Sequence, residues 1–144
     1  MATERSATVR WTGDLMNGEG TILEVTSGTV QSLGVSWPSR TEAPGGNTSP
    51  EELIAAAHAS CFCMALSSAL AKQDLPPEQL DVTATVAFVP GQGITTSELT
   101  VTGVVPGMDA DAFRQAAEGA KDGCPVSKAL AGNVELSVNA SLAG

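Results

Sequence analysis

Two of the three cysteines in the chain occupy positions where a thiol could carry out redox chemistry. Cys61 lies in the middle of a predicted helix, and Cys124 stands between Gly123 and Pro125 at the predicted start of a shorter helix. The N–H groups and the dipole at a helix start stabilise a thiolate. If the two sulfurs meet, the helix thiol could attack and the cap thiol could close a disulfide. Buried cysteine is also a common small hydrophobe, so position alone favours the core for Cys61 and leaves Cys124 undecided.

Cys63 and His58 lie close to Cys61 in the sequence, but their spacing argues against a shared site. Cys63 is about 200° further round the helix, so its side chain diverges and we predict a core position. His58 is the only histidine and lies one turn before Cys61, where a Cys–His pair is conceivable. Because such side chains project side by side, a buried histidine with satisfied hydrogen bonds is the preferred prediction. A metal site of His58, Cys61 and Cys124 is an alternative, although this spacing fits no structural zinc pattern.

A nucleophilic cysteine needs a nearby cation or strong donor, and Arg40 is the best candidate in the chain. It follows residues 37–39 at the end of a predicted strand. Glu52 completes a capping box and needs no other role, whereas Glu51 either complements the helix dipole or holds Arg40 by a bidentate pair. Glu51 and Cys61 are ten residues apart, about 15 Å along one helix axis. If both serve one site, a symmetric dimer could bring Glu51 of one subunit to Cys61 of the other.

Composition limits the partners of such a site. The 144 residues suffice for one domain with a core, and a 42% hydrophobic and 16% charged chain is typical of a globular protein. The net charge of −9 argues against nucleic acid and against an anionic membrane surface. The apolar stretch at 53–70 is interrupted by polar side chains, which makes it a poor membrane span. With no visible signal peptide, we expect a cytoplasmic protein, where three cysteines are no disulfide framework.

The remaining patterns predict an α+β fold in which strands and helices are segregated along the chain. The clearest helix, at 50–72, has Ser49 as its N-cap, Pro50 in the first position and Glu52 three residues after the cap. It is apolar nearly all round, which indicates burial, and a homodimer could cover it. The other predicted elements are strands at 8–11, 21–26, 29–37, 82–89, 98–105 and 134–142 and helices at 110–122 and 125–131. The first three strands should form an antiparallel sheet, and the next two a hairpin.

Two segments of the chain resemble the OsmC/Ohr family of peroxide-detoxifying proteins. Residues 47–66 read N-T-S-P-E-E-L-I-A-A-A-H-A-S-C-F-C-M-A-L, and residues 120–130 read A-K-D-G-C-P-V-S-K-A-L. The opening R-W-T-G-D at 10–14 is also similar to the start of OsmC members. The A-H-A-S-C-F and G-C-P-V-S motifs resemble the OsmC branch more than the Ohr branch. The resemblance covers nearly the whole chain in element order.

The resemblance implies a fold and a set of site residues. It implies one OsmC-like α+β domain over 1–144, with antiparallel sheets around a long buried central helix, and an intertwined homodimer with two interfacial active sites. The peroxidatic cysteine of the family matches Cys61, the resolving cysteine matches Cys124, the glutamate matches Glu51 and the arginine matches Arg40. The chain departs from the family at Cys63, where a serine is common, and in the Gly- and Pro-rich loop at 43–49, which affects the placement of Arg40.

The activity that the resemblance implies is a thiol-dependent peroxidase. Cys61 would reduce an organic hydroperoxide, or hydrogen peroxide, and become a sulfenic acid that Cys124 resolves to a disulfide. A small or protein-bound dithiol, such as a lipoyl group, would then reduce the disulfide, and no metal or organic cofactor is expected. Apolar walls from Phe62 and Met64 would favour organic hydroperoxides. The alternative is a non-catalytic dimer of the same fold with a ligand-binding or stress-structural role.

Overall fold

The computed structural model describes residues 2–143 and divides the chain into two compact units. The first unit ends at Leu53 and the second begins at Ile54. The first contains three strands, a short helix and the start of the long helix, and the second contains the rest. Strands and helices are segregated in runs, which confirms the predicted α+β class. The expectation of one domain over 1–144 stays a prediction.

The first unit is built on a three-stranded antiparallel sheet, as predicted. Its strands are β1 (Ala7–Thr12), β2 (Glu19–Val25) and β3 (Leu33–Val35), in that spatial order. β3 is much shorter than the predicted strand at 29–37, because residues 29–32 are not part of the sheet and a helix α1 (Trp37–Thr41) begins at the last residue of the predicted strand. The hydroxyl of Ser36 accepts a hydrogen bond from the Ser39 backbone N–H, which caps this helix.

The long helix α2 (Pro50–Ala71) begins where the sequence predicts. Ser49 Oγ accepts the Glu52 backbone N–H at 3.1 Å, and proline occupies the first position. The Glu52 carboxylate accepts a hydrogen bond from the Thr48 hydroxyl at 3.1 Å, where the predicted capping box has it accept from the Ser49 backbone N–H, so its role is local but the box is not the predicted one. The capping interactions of α2 therefore leave Glu51 available for another contact.

Within one subunit α2 is buried on one face only, and the prediction that a homodimer covers the rest stays a prediction. Every fourth residue from His58 is fully buried, namely His58, Phe62, Leu66 and Leu70. On the opposite side Met64 is 73% exposed. The helix is long and apolar enough to cross a membrane, with a mean hydropathy of 1.7, which the interrupted sequence did not suggest. In the second unit its buried stripe packs into a protein core.

The second unit has a mixed sheet, which corrects the expectation of antiparallel sheets only. β4 (Gln79–Val89) and β5 (Gly93–Val104) form the predicted antiparallel hairpin. β6 (Glu135–Leu142) pairs with β5 in parallel. A parallel pair needs a crossover connection, which α3 (Ala110–Gly123) and α4 (Pro125–Leu130) supply here.

The core of the second unit forms between α2, β5 and α3. Its fully buried members are Phe62, Leu66, Leu70, Leu99, Val101, Phe113 and Ala117. Asp109 caps α3 by accepting the Ala112 N–H at 2.8 Å, as predicted. Gly103 lets the Phe113 ring lie directly on β5, because a Cβ at position 103 would be only 2.6 Å from Phe113 Cζ. This core fixes α3, and with it the corner that follows, against the same strand that α2 packs on.

Candidate active site

Cys61 of α2 and Cys124 of the α3–α4 corner are in contact, which the sequence could not establish. Their side chains are hydrogen-bonded, and both are free thiols. Cys124 is fully buried, whereas Cys61 is partly exposed. Cys124 ends α3 by donating its N–H to Ala120 at 2.9 Å and, with ψ at 126°, turns the chain into Pro125 and α4. The arrangement is that of a reduced dithiol whose sulfurs lie on separate elements.

The two thiols have opposite pKa shifts. Burial raises the pKa of Cys61, and the hydrogen bond with Cys124 raises it further. Burial also acts to raise the pKa of Cys124, but hydrogen bonds from Cys61, Ser127 and the Val126 backbone hold it below its ordinary value. The Cys124 side chain makes no regular N-cap hydrogen bond. The backbone N–H groups at the start of α4 nevertheless stabilise its thiolate, as the position before the helix predicts. Of the two thiols within one subunit, Cys124 is therefore the one that loses its proton more readily.

His58 is a buried histidine with both ring nitrogens satisfied, as predicted. Nδ1 lies 2.7 Å from Ser97 Oγ, and Nε2 lies 2.8 Å from Ser127 Oγ. Burial lowers the pKa of His58, which keeps its imidazole neutral. Neither nitrogen is free to bind a metal ion, and within residues 2–143 no three His, Cys, Asp or Glu side chains are arranged to hold one. The serine partners of His58 are functional candidates that the sequence analysis missed.

Cys63 is separate from the thiol pair, and its environment favours the neutral thiol. It is partly buried, and burial together with the negative charge of Asp81 raises its pKa. It borders an open groove of about 570 Å³ with Met64 and Ser67. Phe62, expected to line a substrate pocket, is fully buried in the core instead. The expectation that Phe62 supplies an apolar wall is therefore wrong.

Arg40 and Glu51 form an ion pair within the first unit. Arg40 Nε donates to Glu51 Oε1 at 2.8 Å, and Nη2 lies 2.7 Å from the same oxygen. The bidentate pair predicted from the sequence is thus replaced by two contacts on one oxygen, and Glu51 Oε2 is buried without a partner among the described residues. Arg40 is on α1 rather than at a strand end, because the Ser36 cap starts a helix. Its guanidinium also lies over the Trp37 ring, 5.9 Å from the centroid.

A small cavity of about 120 Å³ lies beside Arg40 in the first unit. Its walls are mainly apolar and include Trp11, Leu15, Val35 and Trp37. The guanidinium is the charged group among the lining residues. Such a cavity fits a ligand with an apolar body and one polar end.

Comparisons with known proteins identify the family of this chain. Residues 43–139 match the model of a family described as OsmC-like protein. The chain is 38% identical over 139 residues to Peroxiredoxin OsmC of Escherichia coli (strain K12), covering 94% of this chain and 96% of the relative. It is 36% identical over 100 residues to the Organic hydroperoxide resistance protein of Xanthomonas axonopodis pv. citri, covering 67% and 68%.

Solved structures agree with the sequence comparison. An organic hydroperoxide resistance protein from Elizabethkingia anophelis superimposes with a TM-score of 0.68 at 26% identity, covering 99% of this chain and all of that one. An OsmC protein from Legionella pneumophila gives a TM-score of 0.66 at 25% identity. The chain belongs to the OsmC-like protein family.

Proposed function

We propose that this protein is a thiol-dependent peroxidase in which Cys61 is the peroxidatic residue and Cys124 the resolving one. The observation that carries the proposal is the hydrogen bond between the two thiols, which join α2 to the α3–α4 corner. The names of the relatives, a peroxiredoxin and an organic hydroperoxide resistance protein, support a peroxide as the substrate. Three free cysteines suit a reducing compartment, so we propose a cytoplasmic location.

The reaction has two thiol steps. The Cys61 thiolate attacks the distal oxygen of a hydroperoxide; the O–O bond breaks, the alcohol leaves with a proton, and Cys61 becomes a sulfenic acid. The Cys124 thiolate then attacks the Cys61 sulfur. An S–S bond forms, the S–O bond breaks, and hydroxide leaves as water after taking up a proton. A small or protein-bound dithiol, such as a lipoyl group, reduces the disulfide and returns both thiols, and the scheme needs no metal or organic cofactor.

Cys61 needs a cation for the first step, because its pKa is raised within one subunit. We propose Arg40 for this role, with Glu51 as the residue that positions it. Glu51 and Cys61 lie on the same helix about 15 Å apart along its axis, so the pair cannot serve Cys61 of its own chain through α2 alone. In a homodimer, Arg40 and Glu51 of one subunit would serve Cys61 of the other.

Organic hydroperoxides are the proposed substrates, with hydrogen peroxide as a poorer one. The support is the cavity beside Arg40, whose walls include Trp11 and Leu15. An alkyl chain would gain from these apolar walls while the peroxide group stays near the guanidinium. Hydrogen peroxide has no apolar part and would gain only the polar contact.

Dithiol-driven consumption of cumene hydroperoxide tests the proposed function. We expect turnover by the unaltered protein, none by Cys61→Ser, and unchanged turnover by the control Cys63→Ser. Cys63 is a matched control because it lies on the same helix, two residues away, with a neutral thiol. Equal turnover by Cys61→Ser, or none by the unaltered protein with several dithiols, contradicts the proposal and favours a non-catalytic dimer.

A further inference from the structure

Ser97, His58 and Ser127 form a buried row of hydrogen-bonded side chains that ends at Cys124. The His58 nitrogens lie 2.7 Å from Ser97 Oγ and 2.8 Å from Ser127 Oγ. Ser127 also hydrogen-bonds to the side chain of Cys124, which precedes it by three residues. Each of the four residues is at most 1% exposed. Water therefore does not compete for these hydrogen bonds, and the row joins β5, α2 and α4.

The row has two possible directions, which correspond to different states of Cys124. A neutral imidazole has one donor and one acceptor nitrogen. If Nε2 of His58 carries the hydrogen, Ser127 accepts it and its own O–H is left to donate to Cys124. If Nδ1 carries the hydrogen, the Ser127 hydrogen points to Nε2, and its oxygen accepts from a Cys124 thiol. A thiolate only accepts hydrogen bonds, so the first direction is the one that fits an ionised Cys124.

We propose that His58 and Ser127 are positioning residues for the resolving thiolate. Nε2 of His58 holds the Ser127 hydroxyl so that its hydrogen points at Cys124 Sγ, and Ser97 donates to Nδ1 to fix that tautomer. The proposal rests on the proposed peroxidase function for the step it assists. In that step the Cys124 thiolate attacks the Cys61 sulfenic acid. The S–S bond forms and the S–O bond breaks, the Cys124 sulfur is oxidised and the Cys61 sulfur is reduced, and the leaving hydroxide becomes water by taking up a proton from a solvent acid.

Charged groups near the corner do not account for the lowered pKa of Cys124. Cys61 of α2 is the ionisable group that faces it. Within residues 2–143 no Lys, Arg, Asp or Glu contributes to the lowered pKa of Cys124. Lys121 of α3 is paired with Glu118 at 3.0 Å, and Lys128 of α4 is exposed. Neutral donors therefore hold the thiolate, and their orientation decides how well they do so.

The pKa of Cys124 as the only thiol tests the role of Ser127. In a Cys61→Ser/Cys63→Ser background, the ultraviolet absorbance of the thiolate reports that pKa directly. Ser127→Ala should raise it by about one unit, because a hydrogen bond to a charged group contributes about a tenfold factor. Ser60→Ala is the control, since Ser60 is exposed on α2 and bonds the Ala57 carbonyl; it should cause no shift. An unchanged pKa in Ser127→Ala contradicts the proposal.

Two His58 variants separate orientation from packing in the same background. The amide of His58→Gln can still donate to Ser127, so the Cys124 pKa should stay near that of the parent. His58→Phe fills the space without a donor, and the pKa should rise as in Ser127→Ala. Equal pKa values in the Gln and Phe variants contradict the role of His58. If the Phe variant does not fold, Ser97→Ala takes its place: it removes the donor to Nδ1 that fixes the His58 tautomer, so the Cys124 pKa should rise, and an unchanged pKa contradicts the role of His58.

The pH profile of disulfide formation connects this pair to the reaction. With an alkyl hydroperoxide, Ser127→Ala should move the midpoint of the resolving step up by about one unit and slow it roughly threefold below the midpoint. The rate on the high-pH plateau should not fall, whereas a merely structural defect lowers the rate at every pH. If the unaltered protein forms no disulfide, the peroxidase function fails, while the titrations of Cys124 still test the hydrogen-bonded row on their own.

Discussion

Arg40 donates to Glu51 through two nitrogens that converge on one carboxylate oxygen, at 2.8 and 2.7 Å. The other oxygen, Oε2, is buried and has no partner among the described residues. Glu51 is free for this pairing because Ser49 and Thr48 supply the local contacts of the neighbouring Glu52. The two contacts hold the Arg40 guanidinium on the Glu51 carboxylate, and Glu51 Oε2 could still accept a hydrogen bond from a further donor.

Glu51→Gln should slow the reaction of Cys61 with an alkyl hydroperoxide by about tenfold, because a neutral amide holds Arg40 less firmly than a carboxylate does. The rate of sulfenic acid formation under single-turnover conditions checks this. Glu52→Gln is the matched control, since Glu52 bonds Thr48 and is exposed. Equal rates in the two variants would remove Glu51 from the mechanism.

Mixing Glu51→Ala and Cys61→Ser chains should restore activity that neither variant has alone. In a symmetric dimer with shared sites, half of the exchanged dimers contain one intact site, so about a quarter of the original activity should return. Activity measured before and after refolding of the mixture checks this, and each variant refolded alone is the control. No recovery, with exchange shown by mass spectrometry, contradicts the shared site.

The free energy of unfolding should fall with pH below about 6.5 because of His58. Burial lowers its pKa in the folded state from the ordinary 6.5. As the pH falls, His58 therefore takes up a proton in the unfolded chain before it does so in the folded protein. The contribution of His58 to the free energy of unfolding is complete above pH 6.5 and is lost below it at up to about 1.4 kcal/mol per pH unit. Urea unfolding of the unaltered protein and His58→Gln at pH 7.5 and 5.5 checks this. Parallel losses in both proteins contradict it.

Gly103→Ala should lower the free energy of unfolding by about 1–3 kcal/mol, the cost of overpacking a core. The new methyl group would meet the buried Phe113 ring, whose Cζ would lie 2.6 Å away. Gly119→Ala is the opposite control, because its site on α3 is open and alanine favours a helix by roughly 0.5–1 kcal/mol. Chemical denaturation should give shifts of opposite sign, and a neutral Gly103→Ala would show that the ring can move.

The sequence predicted the starts of the helices α2, α3 and α4 from residues close to each start. Ser49 and Asp109 each mark a helix start by a side-chain cap, and Cys124 marks one by the proline that follows it, because these signals depend on neighbours within one turn. The helix α1 was missed, since the cap formed by Ser36 lies in a run of strand-forming residues. The parallel pairing of β6 was missed too, because the choice of strand partner is made through contacts distant in sequence.

The candidate site was predicted only in its residue types. The motifs identified Cys61 and Cys124, but their contact depends on the packing of α3 against α2 within the core of the second unit. His58 hydrogen-bonds to Ser97 and Ser127, which follow it in the chain by 39 and 69 positions. Nothing in the sequence around either serine marks it as a partner of His58. A buried histidine at 58 did imply partners, since both ring nitrogens of a buried imidazole need one.

Mass spectrometry of the protein after one equivalent of an alkyl hydroperoxide tests whether Cys61 and Cys124 are the redox pair. The two-cysteine mechanism predicts a loss of about 2 Da, the two thiol hydrogens, and a disulfide that peptide mapping assigns to Cys61 and Cys124. In Cys124→Ser, oxidation should stop at a Cys61 sulfenic acid that a specific reagent traps. A disulfide between Cys61 and Cys63, or no change in mass, would contradict the two-cysteine mechanism.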